Sequence, residues 1–295
     1  MNTTILILLK KYIPVGILAI LFIGCERELN DLKPATFPDN PGVFIDGFSE
    51  GLNYAAFGGS VPTAFNVDKK DTYNNSKASM RFDVPNAGDP EGAYAGGVFL
   101  TETGRDLSDY TALTFWAKAT KSATIDLVGF GNDLGESRYL VSLNDVAVNT
   151  YWKKYIIPIP NASLLTQEKG MLFYSEGPEE GKGYTFWIDE VKFEDLGTIA
   201  HKQPMIFEGE DKVESAVNGL TFPVDELSLS FNLPNGIDQS VTAAPAYFTF
   251  SSSKTDVATV DNQGVVSVLS AGTAVITAAA GGMEAQGSLT VESSG

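Results

Sequence analysis

Between residues 43 and 195, apolar and polar positions alternate over short runs, and clusters of Gly, Asn, Asp and Pro end each run. A period of two in segments rich in β-branched and aromatic residues predicts strands. The predicted strands are Ala78–Val84, Ala95–Leu100, Leu113–Ala117, Ile125–Phe130, Tyr139–Leu143, Lys154–Ile159 and Tyr184–Phe193. No segment sustains the 3.6-residue apolar period of an amphipathic helix. The pattern therefore predicts an all-β sandwich. Strand-like runs continue from residue 223 to 293, but the composition shifts to Ala, Ser, Thr, Val and Gly, with one tyrosine and no tryptophan. Small and β-branched residues suit a second, smaller β-sandwich. Residues 196–222 show no dominant period and read as a linker.

One apolar run falls outside this scheme. Ile13 to Ile23 is apolar apart from Pro14 and Gly16, and Lys10 and Lys11 before it are the only charges in the first 24 residues. The run is shorter than the roughly 20 residues that cross a bilayer as a helix. A charged start and a short apolar stretch predict a secretory signal over residues 1–24. Gly24 then precedes Cys25, the only cysteine. This junction resembles the lipobox of bacterial lipoproteins, with Phe22 where leucine is usual and Leu21 one place early. The resemblance implies cleavage before Cys25 and lipid on its sulfur. A lone free thiol in an exported chain has no disulfide partner to explain it. Glu26, Arg27, Glu28, Leu29, Asn30 and Asp31 resemble the acid-rich signal that sends Bacteroidetes lipoproteins to the outer face of the outer membrane. Residues 25–42, with Pro34, Pro38 and Pro41, read as an extended acidic tether. The expected localisation is the outer membrane, lipid-anchored at the cell surface.

Charge narrows the ligand. The chain carries 20 Lys and Arg against 37 Asp and Glu, for a net charge of −17. Loss of Lys10 and Lys11 with the signal makes the mature chain more acidic still. Such a chain lacks the basic clusters that phosphate binding needs, which excludes nucleic acid as a partner. It also argues against an anionic lipid surface or an acidic polysaccharide, and leaves neutral ligands open. A single histidine, His201, excludes a histidine-based zinc site or a Ser-His-Asp triad. A glycosidase needs two carboxylates across a cleft, and no spacing singles out such a pair. Glu179 and Glu180 lie in the loop Gly177–Gly183 and read as a solvated turn. No phosphate-binding or dinucleotide motif is present. With the sequence ending at Gly295, no catalytic domain is expected.

The second sandwich carries a recognisable stretch. Ser251-Ser-Ser-Lys-Thr-Asp-Val-Ala-Thr-Val-Asp261-Asn-Gln-Gly264 runs into Val265-Val-Ser-Val, and then Gly272-Thr273-Ala-Val-Ile-Thr277-Ala. Val257 and Val260 begin a strand, Asp261 to Gly264 turn it, and Val265 to Val268 return as a hairpin. Gly264 suits a turn position with positive φ. The stretch resembles the group 2 bacterial immunoglobulin-like domain, with Phe250 where that family has tryptophan. The resemblance implies a spacer or adhesion module over residues 223–293. Because the anchor is N-terminal, this unit is expected to add contacts or dock a partner.

The first sandwich carries an ordered series of motifs. Phe44-Ile-Asp46-Gly-Phe48-Ser-Glu50 leads to Leu52-Asn-Tyr54-Ala-Ala-Phe57-Gly-Gly59. Tyr94-Ala-Gly-Gly-Val-Phe99 continues into Asp106-Leu-Ser-Asp-Tyr110-Thr-Ala-Leu-Thr-Phe115-Trp116. Tyr151-Trp152-Lys-Lys-Tyr155-Ile-Ile157-Pro158 follows, and Tyr184-Thr-Phe-Trp-Ile188-Asp189-Glu-Val191-Lys-Phe193 closes the unit. In this order they resemble the β-jelly-roll carbohydrate-binding modules of family 11 and its relatives. The expected fold is thus an all-β jelly-roll sandwich over residues 43–195, followed by the immunoglobulin-like sandwich.

The resemblance also implies a site. Aromatic rings stack on the C–H faces of sugars, while polar groups bond their hydroxyls. Matching segments put the ligand-binding aromatics at Tyr54, Phe57, Tyr94 and Tyr174, and the polar partners at Asp133 and Arg138. Phe57 lacks the hydroxyl of its counterpart. Phe115, Trp152, Phe186 and Phe193 are assigned to packing, whereas Trp116 and Trp187 face either solvent or ligand. The resemblance further implies a structural calcium where the first and last strands meet, held by Asp46 and Asp189, since Ca²⁺ takes hard oxygen ligands. The alternative for that pair is local hydrogen bonding.

The expected function is non-catalytic capture of a polysaccharide, a laminarin-like β-1,3 or mixed-linkage β-1,3-1,4 glucan, for a glycan-uptake system with an outer-membrane transporter as partner. Two rivals stay open: an adhesin or assembly component that binds protein, and a weak glycoside hydrolase.

Overall fold

Alternation of apolar and polar side chains makes each strand half-buried, and a half-buried strand needs a second layer. The computed structural model describes residues 36–294 and shows that layering. The first layer orders β3 (Phe65–Asp68), β4 (Ser79–Asp83), β11 (Thr185–Glu194), β6 (Ala112–Ala119) and β9 (Lys153–Pro158), with β1 (Gly42–Phe44) also paired to β11. The second contains β8 (Val141–Val148), β7 (Ala123–Phe130), β10 (Glu168–Glu176), β5 (Ala95–Arg105) and β2 (Leu52–Ala56). Met80 and Phe82 on β4, Phe115 on β6, Phe186 and Ile188 on β11 point inward and are fully buried. They meet Val128 and Phe130 on β7, Val141 on β8 and Phe99 on β5, also fully buried. Each such side chain contributes roughly 1.5–3 kcal/mol by leaving water.

The strands predicted from alternation are present, with ends shifted by a few residues. β10 is absent from the predicted runs for a physical reason. Met171, Leu172, Phe173 and Tyr174 are all buried, so the segment is a continuous apolar run with no period to read.

The second domain forms the expected immunoglobulin-like sandwich. β18 (Ala258–Val260) and β19 (Val265–Val268) make the predicted hairpin, with Ala258 opposite Val268 and Val260 opposite Val266. Asp261 Oδ1 accepts from the amides of Gln263 and Val265, and Gly264 sits at φ 72°, where the phenyl ring of Phe250 leaves little room for a Cβ. β19 also pairs with β14 (Thr221–Pro223). The facing sheet orders β13 (Asp211–Ala216), β22 (Ser288–Ser293), β20 (Gly272–Ala280) and β17 (Thr249–Ser252), with β21 (Met283–Glu284) on β20.

Residues 196–222, read above as a linker, are instead largely structured. They contain β12 (Ala200–Met205), β13 and β14, each paired in a sheet of the second domain. The mixed apolar content that obscured them reflects short strands with exposed faces. The two domains also share a sheet. β12 pairs with β15 (Ser228–Asn232), β15 with β16 (Asp238–Ala243), and β16 with β8 of the jelly roll. The larger sheet therefore has eight strands, in the order β12-β15-β16-β8-β7-β10-β5-β2.

Candidate functional site

In a strand, successive side chains point to opposite faces, and directly paired residues share a face. This fixes which residues of the larger sheet point away from the jelly-roll core. Gly97 pairs with Tyr174, whose side chain is in the core, so the neighbours on either side point outward. One outward row runs Ala55–Val98–Phe173–Gly129–Ser142 across β2, β5, β10, β7 and β8. The adjacent row runs Gly96–Ser175–Leu127–Asn144. Neither row contains an Asp, Glu, Lys or Arg, in a chain that has 57 of them, 20 basic and 37 acidic, and the exposed Asp126 and Asp145 lie beside Leu127 and Asn144 at the border of the second row.

At one end of these rows stands an aromatic pair. A Cβ on Gly96 would lie 2.4 Å from Cε2 of Tyr94 and 3.3 Å from Cδ2 of Phe57. Both rings therefore lie against the outer face of Gly96, and only glycine admits them so close. The Phe57 amide donates to the Gly96 carbonyl (3.1 Å), and the Tyr94 hydroxyl donates to the Gly58 carbonyl (3.1 Å). Both side chains stay partly exposed. Val98, Phe173 and Ser142 of the first row are buried, whereas Ser175, Leu127 and Asn144 of the second are accessible, so the two held rings can stack on sugar C–H faces while Ser175 and Asn144 supply hydroxyl and amide groups.

Two of the predicted ligand tyrosines belong elsewhere. Tyr174 is fully buried, packed on Phe82 at 4.3 Å between ring centroids. Its hydroxyl bonds that of Tyr54 at 2.9 Å. Tyr54 points inward too, against Phe65 and Phe99 at 4.9 Å each. Burial raises the pKa of both hydroxyls, and neither reaches the outer face. The error is one of parity. In an unbroken apolar run, shifting the phase by one residue exchanges the faces, and Phe173 holds the outward position that was given to Tyr174. The Gly96-Gly97 pair was the available signal, since one glycine takes Tyr94 on its outer side and the other takes Tyr54 on its inner side.

Asp133 and Arg138 lie in the loop from β7 to β8. Asp133 Oδ1 accepts from the amides of Gly135 and Ser137, both at 2.8 Å, and from the Ser137 hydroxyl. Partial burial raises its pKa, but these bonds outweigh that and hold it below the usual carboxylate range. Asp133 therefore braces its own loop. Arg138 is exposed, with its guanidinium 5.4 Å from the Tyr139 ring centroid.

Asp46 and Asp189 are brought together. The Ser76 hydroxyl lies 3.0 Å from Asp46 Oδ1 and 3.2 Å from Asp189 Oδ1. Asp189 is fully buried and accepts from the amides of Tyr73 and Glu190. Burial raises its pKa, and the nearby charge of Asp46 adds to the rise. No basic side chain pairs with Asp189 among the described residues, whereas Lys77 Nζ lies 3.5 Å from Asp46. Two carboxylates around one hydroxyl form a set of hard oxygen donors that fits Ca²⁺. Cys25 lies outside the described residues.

The outer face of the smaller sheet is built differently. Arg81, Trp187 and Lys118 pair across β4, β11 and β6, and Asp189, Trp116 and Lys154 across β11, β6 and β9. All three tryptophans lie here. Trp187 Nε1 donates to Asp68 (3.0 Å), and Lys118 Nζ stands over both Trp187 and Trp152 while pairing with Asp71 at 2.6 Å. Tyr73 stacks flat on Trp116 at 3.9 Å. Trp152 packs here on the surface, while Phe115, Phe186 and Phe193 are in the core as expected.

Residues 43–195 match the family model for carbohydrate binding domain 30, and residues 244–282 match that for the intimin immunoglobulin-like domain. Among solved structures, the chain is similar to the family 11 carbohydrate-binding module of Clostridium thermocellum in complex with a β-1,3-1,4-mixed-linked tetrasaccharide. The identity is 15%, covering 55% of this chain and 98% of that one, with TM-score 0.36. It is similar to the family 30 module of a cellulosomal cellulase from Clostridium thermocellum at 20% identity, over 55% and 96% of the two chains, with TM-score 0.34. A β-1,2-glucanase from Parabacteroides distasonis is similar at 12% identity over 88% of this chain and 39% of that one, with TM-score 0.34. No curated protein matches the chain.

Proposed function

The chain belongs to the carbohydrate binding domain 30 family, and on that premise we propose that it is a non-catalytic, cell-surface polysaccharide-binding lipoprotein. The observation that carries this reading is the pair of aromatic rings, Phe57 and Tyr94, held against Gly96 at the start of an uncharged row of accessible side chains on the larger sheet. A neutral, accessible row of side chains suits a polymer that extends beyond any single pocket. The motif series points to a β-glucan, laminarin-like β-1,3 or mixed-linkage β-1,3-1,4. The signal-like run and Gly24-Cys25 support an N-terminal lipid on the outer membrane, with the polysaccharide passed to a transporter of a glycan-uptake system.

Asp46, Asp189 and the Ser76 hydroxyl would hold a structural calcium at the seam between β11 and the Tyr73–Lys77 loop, far from the outer rows in sequence and on the other sheet. The ion would neutralise two facing carboxylates and fasten that loop. Chelation is then expected to lower the melting temperature and added calcium to restore it, because an ion that binds only the folded chain at 100 times its Kd adds about 2.7 kcal/mol. A melting temperature indifferent to both treatments rejects the calcium.

Affinity electrophoresis tests the binding reading. Residues 26–295 run through gels containing barley β-glucan, laminarin, xylan or mannan should be retarded by a β-glucan. Phe57→Ala or Tyr94→Ala should abolish the retardation, since loss of a stacked ring costs about 1–3 kcal/mol or more at a binding hot spot. Free migration in every gel, with retained binding to an outer-membrane protein, would favour an adhesin.

A further inference from the structure

The outward rows do not stop at the edge of the jelly roll. Ser142 pairs with Thr242 of β16, Thr242 with Ser228 of β15, and Ser228 with Met205 of β12. Beside them, Ser240 pairs with Ser230, and Ser230 with Gln203. Paired residues share a face, so these side chains point the same way as Phe173 and Ser142. The inward neighbours agree: Ala243 pairs with Val141, and Leu229 with Val241, all four buried. Both domain cores thus lie on one side of the eight-stranded sheet, and both domains present their outward rows on the other.

The joint is made by specific bonds. The Asn144 side-chain amide donates to the Thr242 hydroxyl at 3.3 Å across the boundary, on the outward side. The Ala244 amide donates to the Leu140 carbonyl at 2.9 Å, and the Tyr247 hydroxyl to the Tyr139 carbonyl at 3.1 Å. The first row crosses all eight strands and the second crosses seven, from β5 to β12, and neither carries an Asp, Glu, Lys or Arg. Seven strand spacings of about 4.8 Å make this neutral track ~34 Å long, against ~19 Å for the four spacings within the jelly roll.

We propose that the polysaccharide track crosses the domain boundary, so that β16, β15 and β12 of the immunoglobulin-like domain bind the same neutral chain as Phe57 and Tyr94. This deepens the carbohydrate-binding reading and rests on it. The observation behind it is the row of accessible, uncharged side chains that starts at the aromatic pair on Gly96 and runs through Ser175, Leu127 and Asn144 to Ser240, Ser230 and Gln203. Short oligosaccharides engage the aromatic end alone. Long chains continue over Leu127, Asn144 and Ser240 onto Ser230 and Gln203, all accessible, where hydroxyl and amide groups meet sugar hydroxyls. The immunoglobulin-like domain then contributes binding and length selection instead of acting as a spacer.

The test is calorimetric titration of the whole chain with a mixed-linkage β-1,3-1,4 tetrasaccharide and with polymeric barley β-glucan. Ser230→Arg places a long charged side chain on the track in the second domain. It should leave tetrasaccharide affinity unchanged and weaken polymer binding about tenfold, ~1.4 kcal/mol. Equal polymer affinity in the variant and the unmodified chain overturns the proposal. A second measurement needs no variant: polymer should shield Met205 from oxidation in the unmodified chain, whereas the tetrasaccharide should not. Met205 oxidised equally with and without polymer also overturns it. If Phe57→Ala leaves the binding of both probes unchanged, the carbohydrate-binding reading fails first, and the extended track with it.

Discussion

The jelly roll has two outer faces that differ in what their aromatic side chains do. On the smaller sheet, the three tryptophans are the largest rings in the chain, yet they are engaged by Asp68, Lys118 and Tyr73. Salt bridges of 2.6–3.0 Å among Lys118, Asp71, Lys154, Lys192 and Glu194 surround them. On the larger sheet, the outward rows carry no charge, and two smaller rings flank a glycine with part of their surface open. Ring size therefore does not locate a sugar platform. What matters is a ring held in place whose face is not already satisfied by the protein.

The contrast can be broken most directly at Gly96. A Cβ there would collide with Tyr94, so Gly96→Ala should displace the ring and lower glucan affinity roughly tenfold, ~1.4 kcal/mol, while the melting temperature changes little. Titration together with a melting curve checks both parts, and an unchanged affinity would detach Tyr94 from the ligand. The reverse pattern is expected on the opposite face. Trp187 is 7% exposed and hydrogen-bonded, so Trp187→Ala should cost roughly 3 kcal/mol in denaturant unfolding and leave glucan affinity intact. Lost affinity with retained stability would mean that the tryptophan face binds sugar. Tyr174→Phe should behave similarly on a smaller scale, losing about 1 kcal/mol with its bond to Tyr54 and no affinity.

A further prediction is a pH dependence confined to stability. Burial pushes Glu176, which faces inward and accepts from Asp126 N and the Tyr184 hydroxyl, up to about 7, and does the same to Glu168. The folded chain keeps these protons up to about pH 7, whereas the unfolded chain releases them near 4.5. Their contribution is therefore full below the unfolded pKa and is lost as pH rises through about 7. The melting temperature should fall across that window, and Glu176→Gln should make the fall shallower. Glucan affinity should stay level, because the outward rows hold no carboxylate or base. An affinity that follows the melting temperature would place a titrating group on the face.

Much of this was legible in the sequence because alternation and turn residues act locally. The hairpin at Asp261–Gly264 and the strand over Tyr184–Phe193, found at Thr185–Glu194, follow from short motifs, whereas the meeting of Asp46 with Asp189 came from the family resemblance. What was not legible depends on phase or on distant pairing. Tyr174 and Phe173 sit side by side in a run buried on both faces, where nothing in composition sets the parity. The sharing of one sheet by β8 and β16 rests on a pairing of residues 100 apart, Ser142 with Thr242, that no local pattern encodes. The strands within residues 196–222 escaped notice because their exposed faces carry Asp, Lys, Glu and Thr.

The central claim is that the larger sheet's outer face around Gly96, and not the tryptophan face, receives the polysaccharide. Amide chemical-shift mapping of the whole chain during titration with a mixed-linkage β-glucan oligosaccharide tests it most directly. The account predicts that the shifts concentrate at Phe57, Gly96, Ser175 and Gly129, with Trp116, Lys118 and Trp187 unmoved. Shifts centred on Trp116, Lys118 and Trp187, with Gly96 and Ser175 unmoved, would contradict it.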